Sequence, residues 1–291
     1  MKIPSLKIHP LPLNFPQTFL PERRLLSQLL PFAKRNGCGD KVFIGAETGI
    51  PTGKSTGKVD PMIYFAHGMG LISIDKESGS WQLSLTPLGH IVLQEDPFLS
   101  EPQTLWLLHL MLCRRFMLSS PATGIADAWF ALFAEGGFRL GAKFKQSGFL
   151  DFLLDRHGEK SYLKSLSGVV IRSYLEDSCL GHIGVLQQVE DESLVRQFAP
   201  SKKEFFPIYA SYLYLVWDEL FHSDNQISLD CFSEQSRCFL IMGWDESMIA
   251  SWLDWMTDNG IIQVDRYTGT AMLLRLKTTE QVLAASYSEL I

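Results

Sequence analysis

The chain has 291 residues, enough for two or three domains that each bury a core. Hydrophobic residues make up 46% and charged residues 20%, which excludes a disordered chain. No apolar run reaches the roughly 18–20 residues that a membrane-spanning helix needs. A net charge of −6 speaks against a protein that coats nucleic acid, but the charge is unevenly placed. Residues 1–60 hold nine Lys/Arg against four Asp/Glu, a local +5, and the rest hold seventeen against twenty-eight, a local −11. A basic end on an acidic body fits DNA contact at one end only. The affinity for bare DNA should be low, because few phosphates can be neutralised.

Residues 1–20 read as an extended arm, with Pro10, Pro12 and Pro16 preventing a helix. The stretch contains proline where a signal peptide needs an apolar helix, so the expected location is cytoplasmic. Pro21-Glu22 opens a helix through RRLLSQLLPFAKR, with Pro31 expected to kink or split it and Asn36-Gly37 to stop it. A short helix over 40–50, a loop at 51–57 and a helix from Val59 to His67 follow. Two apolar segments, Leu71–Ile74 and Trp81–Leu85, flank the polar turn Asp75–Ser80. This order predicts a winged helix, whose Val59–His67 helix would enter a groove while the ribbon lies over an adjacent backbone.

Beyond Thr86-Pro87-Leu88-Gly89, which closes the wing and starts a helix, the chain reads as helical. Residues 103–118 are apolar nearly all round, which predicts a buried helix. Gly124–Phe133 follows, with Gly136-Gly137 expected to break it, then helices over 145–157 and 159–176. Phe205–Phe221 leads into a second winged-helix order over 227–277. Here Ile227–Phe232 is a short strand, Ser233 caps a helix, and Asp245 caps DESMIASWLDWMTDNG up to Gly260. The predicted class is mainly α with small β wings. Its units are an N-terminal DNA-binding module over 1–100, a helical middle over 101–204 and a C-terminal module over 205–291. The helix of the last module carries Asp245, Glu246, Asp254 and Asp258 and no cation. Phosphates would repel it, so it reads as a homodimer or partner contact, with Trp252 and Trp255 as core or interface anchors.

GIPTGKS (Gly49–Ser55) is one residue short of a phosphate loop and has no strand leading into it. Its use is either backbone contact with DNA, through Lys54, Ser55, Thr56 and Lys58, or simply a solvated loop. Arg23, Arg24, Tyr64 and Lys76 complete the candidate DNA-binding set. His67 reads as a helix-end partner and His109 as a satisfied core histidine. Cys113 beside Arg114 and Arg115 reads as an inert buried thiol. Cys38, Cys113, Cys179, Cys231 and Cys238 are scattered, without a CxxC pair, as suits reduced thiols. Asp96 and Glu101, beside Glu95, are the candidate catalytic acids. Glu190-Asp191-Glu192 reads as a solvated run.

The stretch Asp96-Pro97-Phe98-Leu99 followed by Thr104-Leu105-Trp106-Leu107-Leu108-His109 resembles a signature of a bacterial domain-of-unknown-function family encoded beside DNA phosphorothioation genes. Thr18-Phe19 with Arg23, Gly57-Lys58, Gly70-Leu71-Ile72 and Thr86-Pro87-Leu88-Gly89 extend the resemblance over roughly residues 15–135. The DNA-nicking component of the single-strand phosphorothioation systems is similar. Where such proteins commonly carry a basic, tryptophan-containing helix after Gly-Lys, this chain has Val59–Phe65 with fewer charges. The resemblance implies a protein that acts on double-stranded DNA with a cysteine desulfurase, an ATPase and a sulfur-transfer enzyme. Two readings follow. One is a DNA-binding component that nicks a strand, for which Mg²⁺ or Mn²⁺ would be the expected metal. The other is a non-enzymatic adaptor that recruits the sulfur-transfer machinery. A small-molecule enzyme built on the glycine-rich loop with Cys38 or Cys113 has no convergent residues to support it.

Overall fold

In the computed structural model the described residues are 10–53, 57–222, 224–266 and 269–288. The N-terminal unit begins with α1 (Arg23–Lys34), which continues past Pro31 rather than splitting there. Asn36 then takes a positive φ of 53° and turns the chain into β1 (Cys38–Gly39). Asp40 accepts hydrogen bonds from the amides of Val42 and Phe43 at 2.9 and 2.8 Å and so starts α2 (Lys41–Thr48). Gly49, at φ 74°, ends it. After α3 (Val59–Gly68) come β2 (Ile72–Glu77) and β3 (Ser80–Leu85). Ser78 and Gly79, both at positive φ, form the tight turn between them. Thr86 accepts from the Gly89 amide at 2.9 Å and caps α4 (Pro87–Glu95).

The middle opens with α5 (Pro102–Cys113), buried on every face. It stops five residues earlier than the apolar run predicted. Arg114 turns extended, and its guanidinium donates to the carbonyls of Gly68 and Met111 (2.6 Å for Met111) and pairs with Glu219 at 2.6 Å. The next helix does not break at Gly136-Gly137. It runs from α6 (Asp127–Phe130) through a π-helical turn, Ala131–Glu135, into α7 (Gly136–Arg139). The helical ladder widens instead of ending, and Gly136 lies buried at the junction. The middle also holds a third small sheet that helical periodicity did not announce. Its strands are β4 (Lys143–Phe144), β5 (Leu186–Gln188) and β6 (Leu194–Arg196), with α8 (Gln146–His157) and α9 (Leu163–Arg172) between β4 and β5.

The C-terminal unit begins with α10 (Phe206–Phe221) and β7 (Gln226–Ser228). Ser228, not Ser233, caps α11 (Leu229–Ser236), so the predicted strand is cut to three residues. Then follow α12 (Cys238–Met242), α13 (Glu246–Asp258, capped by Asp245), β8 (Ile262–Asp265), β9 (Met272–Arg275) and α14 (Thr279–Ala284). Helices make up about 52% of the chain and the sheets are small and antiparallel, so the mainly-α class is found as expected. The N-terminal unit runs helix–strand–helix–helix–hairpin, and the C-terminal unit has one helix more between its first strand and its hairpin. Their sheets are wired alike, as β1-β3-β2 and β7-β9-β8. One contiguous hydrophobic core runs from Leu11 to Leu283, with α5 packed on α10 at its centre. Among the described residues no helix is long and apolar enough to cross a membrane.

Candidate nucleic-acid interface

The helix expected to enter a groove is not available to do so. In α3 every residue except Asp60 and Tyr64 is buried. Phe15 packs against Tyr64, Phe65 and Trp129, and a methyl added at Gly68 would come within 2.9 Å of Leu11 and Leu112. Asp60 and Tyr64 lie one turn apart on the remaining stripe, and Trp81 of β3 covers both. Its indole N–H donates to Asp60 Oδ1 at 2.7 Å, and its ring meets Tyr64 edge-on at 5.3 Å. Burial and then the Asp60 charge raise the Tyr64 phenol above its ordinary value. His67 ties the helix end to β2, its Nδ1 lying 3.0 Å from the Ile72 carbonyl. The expected groove-reading helix is therefore a core element. Apart from Asp60 and Tyr64, which Trp81 covers, its sequence leaves it no polar face to present.

The other expected DNA-binding residues divide. Lys54, Ser55 and Thr56 lie outside the described residues. Lys58 is ion-paired with Glu22. The neighbouring Arg23 donates to the carbonyls of Leu99 at 3.2 Å and Asp177 at 2.7 Å, fastening α1 to the middle of the chain. Arg24 is exposed. Lys76 is exposed on β2, with its ammonium 4.1 Å above the Trp81 ring. Thus Trp81 gathers Tyr64 and Lys76, and Glu22 gathers Lys58 beside Arg23. Around the same small sheet, Lys34 and Arg35 end α1 and Lys41 opens α2. These three were counted in the basic N-terminal surplus but not singled out, because only the fold brings β1 into one sheet with the hairpin that carries Lys76.

Asp96 is 3% exposed and its carboxylate is occupied. Oδ1 accepts from the Ser100 amide at 2.9 Å and its hydroxyl at 3.1 Å, and Oδ2 accepts from the Glu101 amide at 3.0 Å. Leu99, at φ 53°, makes the tight turn, and Glu101-Pro102 opens α5. Asp-Pro-Phe-Leu is thus a connector that seats the buried helix, with Asp96 as its pin. Asp191 lies in the β5–β6 turn against Lys143 at 2.9 Å, which holds its carboxyl down to about 2. Among the described residues no three of His, Cys, Asp and Glu gather as a metal site. A hard cation such as Mg²⁺ needs several oxygens at one point, and Asp96 and Glu101 do not supply them. No step through a metal is derived from them.

Two buried polar networks lie deeper. His109 Nδ1 is 2.8 Å from the Tyr174 hydroxyl and 3.5 Å from Cys113 Sγ. Burial, then the charge of Arg196, depresses His109 to about 3, and burial pushes the Cys113 thiol far up. Both are chemically quiet, as their apolar helix implied. The second network was not legible. Burial alone would raise Asp127, but His157 and Arg156 hydrogen-bond to it and hold its carboxyl well below the usual range. Arg156 Nε and Nη2 lie 2.7 and 2.9 Å from the Asp127 oxygens, and Nη1 lies 2.8 Å from Glu135. Glu135 reaches Arg156 from the end of the π-helical turn, a feature with no sequence signature.

The second unit inverts the first. Its α13 buries Trp252, Leu253 and Met256 and exposes Glu246, Ala250, Ser251, Asp254 and Asp258. Trp252 is core and Trp255 is half-buried against Phe206 at 5.6 Å.

No protein-family model matches the chain, and no curated protein matches it. Its fold is similar to two solved structures, one described as magnesium ion-bound SspB and one as SspB. The first has a TM-score of 0.70 and the second 0.69, each at 18% identity and covering 95% of this chain and 87% of the other. At that identity the likeness is one of fold, spanning nearly the whole chain.

Proposed function

We propose that this chain is an SspB-like component of a bacterial DNA phosphorothioation system, associated with duplex DNA through its N-terminal unit. What supports the reading most is the agreement of two independent signs: a fold likeness over 95% of the chain and the sequence resemblance over roughly residues 15–135. The N-terminal and C-terminal units are read as winged helices because each sets helices between a first strand and a closing hairpin, with the first strand beside the last. The first meets DNA not through α3 but through the rim of its sheet, where Lys34, Arg35, Lys41 and Lys76 supply phosphate contacts. The second turns the acidic face of α13 to a basic partner, either a sulfur-transfer component or another copy of the chain. In this adaptor role the protein brings DNA and modifying enzyme together.

The nicking reading is kept because one similar structure is described as magnesium ion-bound. Against it stands the engagement of Asp96 in seating α5. Supercoiled plasmid incubated with the full chain and Mg²⁺ or Mn²⁺, beside EDTA controls, separates the two. Unchanged plasmid together with salt-sensitive duplex binding fits the adaptor. Metal-dependent open circles fit the nickase. Absence of duplex binding at low salt overturns the DNA-associated reading itself.

A further inference from the structure

The sharpest unexplained feature lies away from both end units, where the π-helical turn meets α8. A cleft of about 360 Å³ opens there, lined by Glu135, Phe138, Arg139, Phe152, Asp155 and Arg156. That volume is at the small end of ligand pockets, which run from about 300 to 1,000 Å³. Phe138 stands on its rim 78% exposed and takes no part in the hydrophobic core. Its place beside the cleft leaves the ring free to stack on a ligand. Arg139 lies with its guanidinium 5.4 Å from the Phe152 ring centre, so two flat groups and an exposed phenyl bound one small space. The Glu135–Arg156 pair, fixed at 2.8 Å, forms the rigid inner end. Asp155 is 73% exposed and only loosely paired with Arg139 at 3.7 Å, a contact of little energetic weight that leaves its carboxylate free to turn.

We propose that this cleft binds a single unstacked guanine base. Phe138 and the Arg139 guanidinium supply stacking faces, and Asp155 accepts the two N–H groups of the guanine Watson–Crick edge. Guanine is the base that suits an acceptor-only carboxylate, because it alone offers two adjacent donors on that edge. Adenine and cytosine offer one amino group beside an acceptor that a carboxylate repels, and thymine offers one imide N–H flanked by carbonyls. Base-on-aromatic stacking supplies affinity for any base, and the carboxylate supplies the preference. Glu135, the last residue of the π-helical turn, takes φ −120°, ψ −23° and pairs with Arg156 at the inner end of the cleft. The base could belong to a DNA strand, in which case the site rests on the DNA-associated reading above, or to a free guanine nucleotide, in which case it does not.

The test uses the full chain and fluorescein-labelled DNA hairpins, fully paired or carrying one bulged G, A or T, read by anisotropy. GMP binding is measured separately by calorimetry. The expected result is a bulged-G hairpin bound at least about tenfold more tightly than the paired one. Phe138→Ala should remove most of that gain for every bulged base, and Phe138→Tyr should keep it. Asp155→Asn should lower the preference for G over A while leaving general bulge binding in place. Because Phe138 and Asp155 are exposed, all three variants should fold as the parent does, checked by circular dichroism. Binding of GMP that Phe138→Ala abolishes, with no preference for bulged DNA, supports the cleft as a guanine site served by free nucleotide. Equal binding of all hairpins, unchanged by Phe138→Ala and without GMP binding, overturns the guanine site and leaves the DNA-associated reading standing. Failure to bind any hairpin at low salt sinks that reading, and the GMP measurement then decides the cleft alone.

Discussion

The two ends of the chain wire their small sheets alike and use the helix before the hairpin in opposite ways. In the N-terminal unit α3 is roofed by Trp81, floored by Phe15 and Trp129, and leaves only Asp60 and Tyr64 partly in view. In the C-terminal unit α13 keeps one apolar stripe inward and shows an acidic face to solvent. The same sheet wiring therefore does not fix the same job. What decides is how far apolar residues wrap round the helix: Val59-Asp60-Pro61-Met62-Ile63-Tyr64-Phe65-Ala66 wraps nearly fully, whereas Glu246–Asp258 wraps on one side only.

The largest effect expected from this difference is on stability. Phe65→Ala should cost about 3–5 kcal/mol in urea denaturation, the range for truncating a buried aromatic. Asp254→Ala on α13 should change stability by less than about 0.5 kcal/mol. A cost below about 1 kcal/mol for Phe65→Ala would mean that α3 is not enclosed as described.

The seam between the two units gives the next test. The Arg114 side chain is 3% exposed and that of Glu219 is 21% exposed. Removing one partner of so nearly buried a pair strands a charge. Glu219→Ala should therefore cost about 3 kcal/mol, with much of it recovered in the Arg114→Met, Glu219→Met double variant. Additive losses in the double variant would show that the two do not act as a pair.

The buried histidine of α5 should make the protein acid-sensitive. His109 is depressed from 6.5 to about 3 in the folded chain, so below pH 6.5 the unfolded chain takes up a proton that the folded one refuses. Stability is fully present above about pH 6.5 and falls as pH drops towards 3, with an upper slope of about 1.4 kcal/mol per pH unit for this one group. His109→Phe should flatten the fall of melting temperature between pH 6 and pH 4. An unchanged pH profile would place the acid sensitivity elsewhere.

The smallest effect is on DNA. Lys76→Ala should weaken duplex binding several-fold and reduce the slope of log affinity against log salt by about 0.9, one phosphate contact. An unchanged slope would take the hairpin out of the interface.

Much of this architecture was legible in the residues. Thr86 and Asp245 cap helices where their side chains can reach the first free amides. Gly49 and Gly260 end helices at positive φ, and the apolar run is buried from Gln103 to Arg115, with Met117 and Leu118 at its end exposed. What misled was the use of pattern without partners. The order of elements around α3 suggested an exposed reading helix, but the arm residue Phe15 and the distant Trp129 close over it, contacts of long sequence separation. Asp96 stood out as an acid beside other acids, yet it caps a turn. Gly136-Gly137 suggested a stop, yet the helix widens just before them and continues through them as α7. The guanine cleft had no sequence signal at all, because it is assembled from the π-helical turn and a helix whose facing residues are spaced by the fold.

The most direct test of the division of labour is hydrogen–deuterium exchange of the full chain with and without a short duplex at low salt. The account predicts slowed exchange over residues 34–41 and 72–85, around Lys34, Arg35, Lys41 and Lys76, and no change over 245–259. Protection of α13, or none in the N-terminal unit while the duplex is bound, would contradict it.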